Sequence, residues 1–197
     1  MPSTRQLQKA QTREKIIAAA FRVYAEQGFS APTTAIASEA QVSHGSVFVH
    51  FPTVESLLIC LLDIFAQDLD TELHALSESG NDIARLLDMH VEVLVKYENF
   101  YSRLVREASL LPGEARNTFV AIQSTAAIHF SNVLQPEIRA GKIKDIPFHM
   151  LFNTWLGLVH YYLLNGDLFA PGESVLTRCK DSLITCYMAL IKTIKSN

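Results

Sequence analysis

The sequence predicts an all-α fold. Apolar residues recur at gaps of three and four along the chain, and no stretch sustains a two-residue alternation. Each periodic run is bounded by residues that cap or break helices. About nine helices fit the 197 residues. Three short ones form an N-terminal unit over residues 1–52, and a long fourth helix joins it to a helical body over residues 53–197.

Helix one spans Gln6 to Gln27, with Ile16, Ile17, Ala20, Phe21 and Tyr24 as its apolar stripe. Gly28 suits the position just past its end, and Phe29 can fold back onto the stripe. Pro32 delays the next helix until Thr33 and Thr34, either of which can cap it. That second helix turns Ile36, Ala37 and Ala40 inward. Only Gln41 and Val42 separate it from a third, capped by Ser43, with Val47, Phe48 and Phe51 on its apolar side. So short a break cannot return the chain antiparallel, so the two helices cross steeply as a helix-turn-helix. Ser43, His44, Gly45, Ser46, Val49 and His50 then face outward. Small side chains there let hydroxyl and backbone donors approach phosphates and base edges.

Pro52 ends the third helix, Thr53 caps the fourth, and Glu55 suits its positive N-terminal end. Leucines from Leu57 to Leu73 carry helix four to about Leu76, before a polar break over residues 77–81. Helix five covers Asp82 to Tyr97, and helix six covers Phe100 to Leu110. Helix seven runs from Gly113 to Ala140, with a kink or a frayed last turn expected at Pro136. Helix eight starts at Pro147 and reaches about Asn165, and helix nine runs from Pro171 to near Ile194. Both are apolar around much of their circumference, which calls for two covering surfaces; one can belong to a second copy of the chain, and a central core helix fits the same pattern.

Composition narrows the function classes. With 49% hydrophobic and 19% charged residues, the chain is too apolar for disorder. It has no uncharged apolar run of about 18 residues and no apolar signal-peptide core, so a cytoplasmic location is expected. Cys60, Cys179 and Cys186 are too few and too scattered for a disulfide framework or a zinc site. Net charge is −3. Residues 1–22 nevertheless hold Arg5, Lys9, Arg13, Lys15 and Arg22 against Glu14, a net of +4 that leaves −7 for the rest. A basic arm on an acidic body suits a chain that meets phosphate at one end. No P-loop, nucleophile elbow, H-E-x-x-H or G-x-G-x-x-G is present, so no catalytic residue, metal or cofactor is expected.

The body carries polar and aromatic residues on otherwise apolar helices. Met89, His90, Tyr97 and Tyr101 are four of them. Gln123, His129, Asn153, Trp155 and His160 are the others. An apolar cavity with a few polar anchors suits a small organic ligand, and each residue is also explicable as packing or surface.

Ordered blocks of the N-terminal third resemble the DNA-binding domain of the TetR family of transcriptional regulators. They are Thr12-Arg13-Glu14-Lys15-Ile16, Glu26-Gln27-Gly28-Phe29, Ile36-Ala37-Ser38-Glu39-Ala40, the run from Val42 to Phe51, and Glu55-Ser56-Leu57. The resemblance implies a homodimer paired through its last two helices, reading a palindromic operator in double-stranded DNA. A small ligand would release it, most often from repression. It implies that Thr33 and Thr34 touch phosphate at the start of helix two. Ser43, His44, Gly45, Ser46, Val47, Phe48 and His50 then form the DNA-contacting set, with Phe48 partly packed inward, and Arg5, Lys9 and Arg13 are placed to reach the backbone or an adjacent minor groove.

Departures from the family pattern are His44 for Lys, Phe48 for Tyr, Gln41 for the turn Gly and Val54 for Lys. The segment between Gly28 and Ile36 is one residue short. Because His44 replaces Lys, the contact it makes is expected to depend on pH. Loss of the Lys and Tyr phosphate contacts also motivates an alternative, a helical ligand-binding or protein-interaction module that no longer binds DNA.

Overall fold

The computed structural model describes residues 3–78 and 82–193, the side chains of residues 77 and 78 aside. Among them are ten α-helices: α1 (Thr4–Gln27), α2 (Thr33–Glu39), α3 (His44–His50), α4 (Val54–Glu78) and α5 (Ile83–Lys96), followed by α6 (Glu98–Glu107), α7 (Gly113–Arg139), α8 (Phe148–Leu164), α9 (Gly166–Phe169) and α10 (Val175–Ile191). A 3₁₀ turn, Ala108–Leu110, follows α6. The described residues contain no strand, only an isolated antiparallel bridge between Ile143 and Lys192.

Two compact units result. One holds the described residues up to Phe65 together with Asn99–Phe119. The other holds Ala66–Glu98 and the described residues from Val120 onward, so α4 and α7 each contribute to both.

In the first unit the stripe on α1 buries Ile16, Ala19, Ala20, Val23 and Tyr24. Ile36 and Ala37 of α2, Val47 of α3, and Leu57, Leu58, Leu61, Leu62 and Phe65 of α4 are buried as well. The C-terminus of α1 is satisfied from α6. Arg103 donates to the carbonyls of Ala25 at 3.1 Å and Glu26 at 2.8 Å, and Glu107 accepts from the Phe29 N–H at 2.9 Å. These bonds occupy groups that the last turn of a helix leaves orphaned. Phe29 does fold back, lying 5.4 Å from the Tyr24 ring and 5.7 Å from Phe100.

Gly28 makes that turn possible. Its φ is +81°, and a Cβ there would stand 2.6 Å from a Glu107 carboxylate oxygen. Gly28→Ala is therefore expected to destabilise the fold by roughly 1–2 kcal/mol, from backbone strain and the displaced carboxylate. Urea denaturation measures it, and an unchanged midpoint would refute it.

The second unit packs α5, α8 and α10 around Leu86, Leu87, Val91, Leu94, Leu151, Trp155, Val159, Leu183 and Tyr187. Lys180 of α10 ties to Asp88 at 2.8 Å and Glu92 at 3.2 Å on α5, and Glu98 accepts from the Val175 N–H at the start of α10.

Several boundaries differ from expectation. The short α9 was not anticipated. Pro171 does not open the last helix, because Gly172 takes φ +75° and Ser174 caps a helix that begins at Val175. Pro136 lies within the last turn of α7, which runs on to Arg139 before Gly141 at φ +69° ends it. A proline there removes a bond close to the helix end, where few remain to be lost. Most of the polar break expected over 77–81 lies outside the described residues, as does Ile194; α10 ends at Ile191.

Candidate nucleic-acid interface

The turn between α2 and α3 determines how the helix-turn-helix is displayed. Its backbone closes as a Schellman motif: the Val42 N–H donates to the Ala37 carbonyl at 3.0 Å and the Gln41 N–H to the Ser38 carbonyl at 3.1 Å. Gln41 sits at φ +56°, the single described non-glycine residue with positive φ. Left-handed backbone costs an L-residue on the order of 1–2 kcal/mol, part of which glycine forfeits as chain entropy. Gln41→Gly is thus expected to raise stability by roughly 1 kcal/mol and the melting temperature by a few degrees. A fall in either would contradict this account.

Ser43 caps α3 as expected, accepting from the Ser46 N–H at 3.2 Å. Thr33 and Thr34 do not cap α2. Pro32 occupies the N-cap without a side-chain bond, and Thr33 already belongs to the helix. The half-buried Thr33 directs its hydroxyl to His44 Nε2 at 2.8 Å, joining the N-terminal ends of α2 and α3. The exposed His44 ring also meets Phe48 edge-on at 5.1 Å. At the positions where the resemblance leads one to look for Lys and Tyr, this chain has built an internal contact.

Ser43, His44 and Gly45 are exposed, Ser46 and His50 half-buried, Phe48 is 40% exposed, and Thr34 on α2 is open to solvent. Val47 must be struck from the contacting set. It is 0% exposed, turned into the core of the first unit. Val49, left out of that set, is 72% exposed. Its position four residues after Gly45 was a sufficient signal.

Basic residues flank α3. Burial, then the charges of Lys9 and Arg13, hold the His50 imidazole below its ordinary value, so it is neutral at pH 7. Arg13 also stacks over the Phe51 ring at 4.7 Å and donates to Cys60 Sγ at 3.2 Å.

The second unit places the ligand candidates in different surroundings. A groove of about 570 Å³ runs between α4 and α5, lined by Gln67, Asp68, Thr71, Glu72, Met89, Glu92, Val93 and Lys96. Met89 lines it. Tyr97 borders it, donating its hydroxyl to Asp68 at 2.6 Å, and hydrogen bonds from Lys96 and Tyr97 hold the Asp68 carboxyl below its usual range.

His90 and Trp155 do not line that groove. Both are buried and bonded to each other, the indole N–H donating to His90 Nδ1 at 3.2 Å. That bond puts the His90 proton on Nε2. Burial, with a smaller contribution from His160, lowers His90 to about 3, and burial lowers His160 to about 4. Tyr101 belongs to the first unit, buried between Phe65 and Phe119. Gln123 is half-buried and Asn153 exposed, so these candidates do not gather at one place.

Residues 16–60, which include this helix-turn-helix, match the family model described as bacterial regulatory proteins, tetR family. Over this domain the chain is similar to the TetR family of regulators. A relative, the HTH-type transcriptional repressor Rv3405c of Mycobacterium tuberculosis, is 40% identical over 83 residues, 41% of this chain and 43% of the repressor. The chain thus spans less than half the length of the curated relatives it matches. Solved TetR-fold structures match nearly throughout. A transcriptional regulator from Aquifex aeolicus VF5 aligns with a TM-score of 0.72 at 19% identity, over 91% of this chain and 99% of that one. FadR of Bacillus subtilis, solved in complex with stearoyl-CoA, aligns at 0.70 and 19% identity, over 89% and 97%.

Proposed function

We propose that this chain is a sequence-specific DNA-binding transcriptional regulator, a repressor whose hold on DNA is relieved by a small organic ligand. The observation that carries the proposal is α3, a capped helix presenting Ser43, His44, Gly45, Phe48 and Val49 to solvent, with the half-buried His50 beside the cations Lys9 and Arg13. Thr33 and Thr34 supply hydroxyls at the start of α2. Functionally, residues 1–52 read DNA and residues 53–197 bind ligand and pair the subunits.

Pairing runs through α8 and α10. Tyr161 and Leu164 of α8 are 56% and 37% exposed, and Leu190 of α10 is 54% exposed. Gly157, with open space around it, permits close helix approach. A twofold mate covers that face and brings two reading heads to a palindrome. The ligand shifts the population toward a conformer that fits the two half-sites less well. The protein works in the cytoplasm, where its operator is, and the family its N-terminal domain matches is one of regulators.

Binding energy comes mainly from phosphate neutralisation, so affinity for a duplex selected from a random pool is expected to fall steeply between 50 and 200 mM salt. A flat salt response, or no palindrome among the selected duplexes, overturns the proposal. The engaged state of His44 Nε2 favours a second reading, a ligand-binding or protein-interaction module without DNA affinity. The same selection separates the two.

A further inference from the structure

We infer that Val49 is a specificity-determining residue: its side chain reads the C5-methyl of a thymine in each half-site. The inference rests on the DNA-binding function proposed above. Between Ser43 and Phe51 there is no Arg, Lys, Asn or Gln, the side chains that pair two-pronged with guanine or adenine edges. The polar groups that α3 does carry are occupied. Ser43 and Ser46 hydroxyls lie 2.8 Å apart, Ser43 Oγ also accepts the Ser46 N–H, and Thr33 engages His44 Nε2. His50 is half-buried beside Lys9 and Arg13.

What projects from the middle of the helix is apolar. Val49 is 72% exposed and its neighbour Phe48 is 40% exposed. One turn earlier, a Cβ at Gly45 would meet nothing within 4 Å, so a base edge can come close to the backbone beside the valine. Valine is stiff about χ1 in a helix, so its two methyl groups are held in place before any contact. Thymine is the base whose major-groove edge offers a methyl group, and apolar side chains are its partners. Burying one methyl-sized group corresponds to about fourfold in affinity per half-site.

The test uses the full chain and the duplex obtained by selection. Each conserved thymine is replaced in turn by deoxyuridine, which removes the methyl group and leaves the hydrogen-bonding edge unchanged. Wild-type protein is expected to lose about fourfold per half-site at one symmetry-related thymine pair. Val49→Ala is expected to bind the thymine and uracil duplexes equally, with an unchanged melting temperature because the side chain is mostly in solvent. Uniform tolerance of uracil by the wild type, or equal sensitivity in Val49→Ala, overturns the assignment alone. Failure to select any duplex overturns the DNA-binding function and this assignment with it.

Discussion

Acidification from pH 7 to 4.5 is expected to remove about 5 kcal/mol of folding stability through two histidines of the second unit, His90 and His160. Both imidazoles lie well below their ordinary value in the folded protein, at about 3 and about 4, chiefly because burial penalises the charged form. His90 is 2% exposed, and its Nδ1 already accepts from the Trp155 indole. Below about pH 6.5 the unfolded chain takes up two protons that the fold refuses. The stabilisation is complete above that value and lost progressively as pH falls towards the folded values. Each site contributes about 1.4 kcal/mol per pH unit across the window.

Chemical denaturation at pH 7, 6, 5 and 4.5 measures the effect. His90→Gln keeps an acceptor for the indole and removes one titrating group, so its stability should fall about half as steeply. The difference between the two proteins isolates His90 from every other group that titrates in the same range. Parallel slopes for the two proteins would show that His90 protonates within the fold.

These histidines also mark where sequence reasoning stopped. Helical periodicity located the helices because burial repeats every three or four residues, as Ile16, Ala20, Val23 and Tyr24 do on α1. Local chemistry placed Ser43 as a cap and Gly28 as a terminator, since each depends on only a few neighbouring residues. The pairing of His90 with Trp155 spans 65 positions, and nothing at either residue announces the other. For that reason a core hydrogen bond was read as two pocket anchors. Thr33 illustrates the same limit at shorter range: its hydroxyl had a local use as a cap and a tertiary use 11 residues away at His44, and the tertiary one prevailed. Val47 and Val49 differ only in rotation about α3, 0% against 72% exposed, and the way α3 packs on α2 decides which one is open to solvent.

Gly45→Glu is expected to weaken binding to the selected duplex by at least about 100-fold while leaving the fold as stable as before or more so. The two halves of that expectation have separate causes. Gly45 lies inside α3 with a negative φ, and a Cβ there meets nothing within 4 Å. A side chain therefore enters open space, and replacing a helical glycine lowers the entropy lost on folding, a gain of up to roughly 0.5–1 kcal/mol for Ala and less for Glu. Near the start of α3 a carboxylate also faces favourable backbone N–H dipoles. On DNA the same carboxylate is driven against phosphates and base edges at close range. Repulsion and desolvation together amount to about 3 kcal/mol or more, the equivalent of 100-fold. Gly45→Ala provides the steric control, with the gain in stability and a far smaller loss of affinity. Should Gly45→Glu bind the duplex like the wild type, α3 does not face DNA at this residue. A melting temperature that falls would instead mean that the open space beside Gly45 is filled in solution. Only loss of binding on an intact fold places the N-terminal half of α3 at the DNA surface.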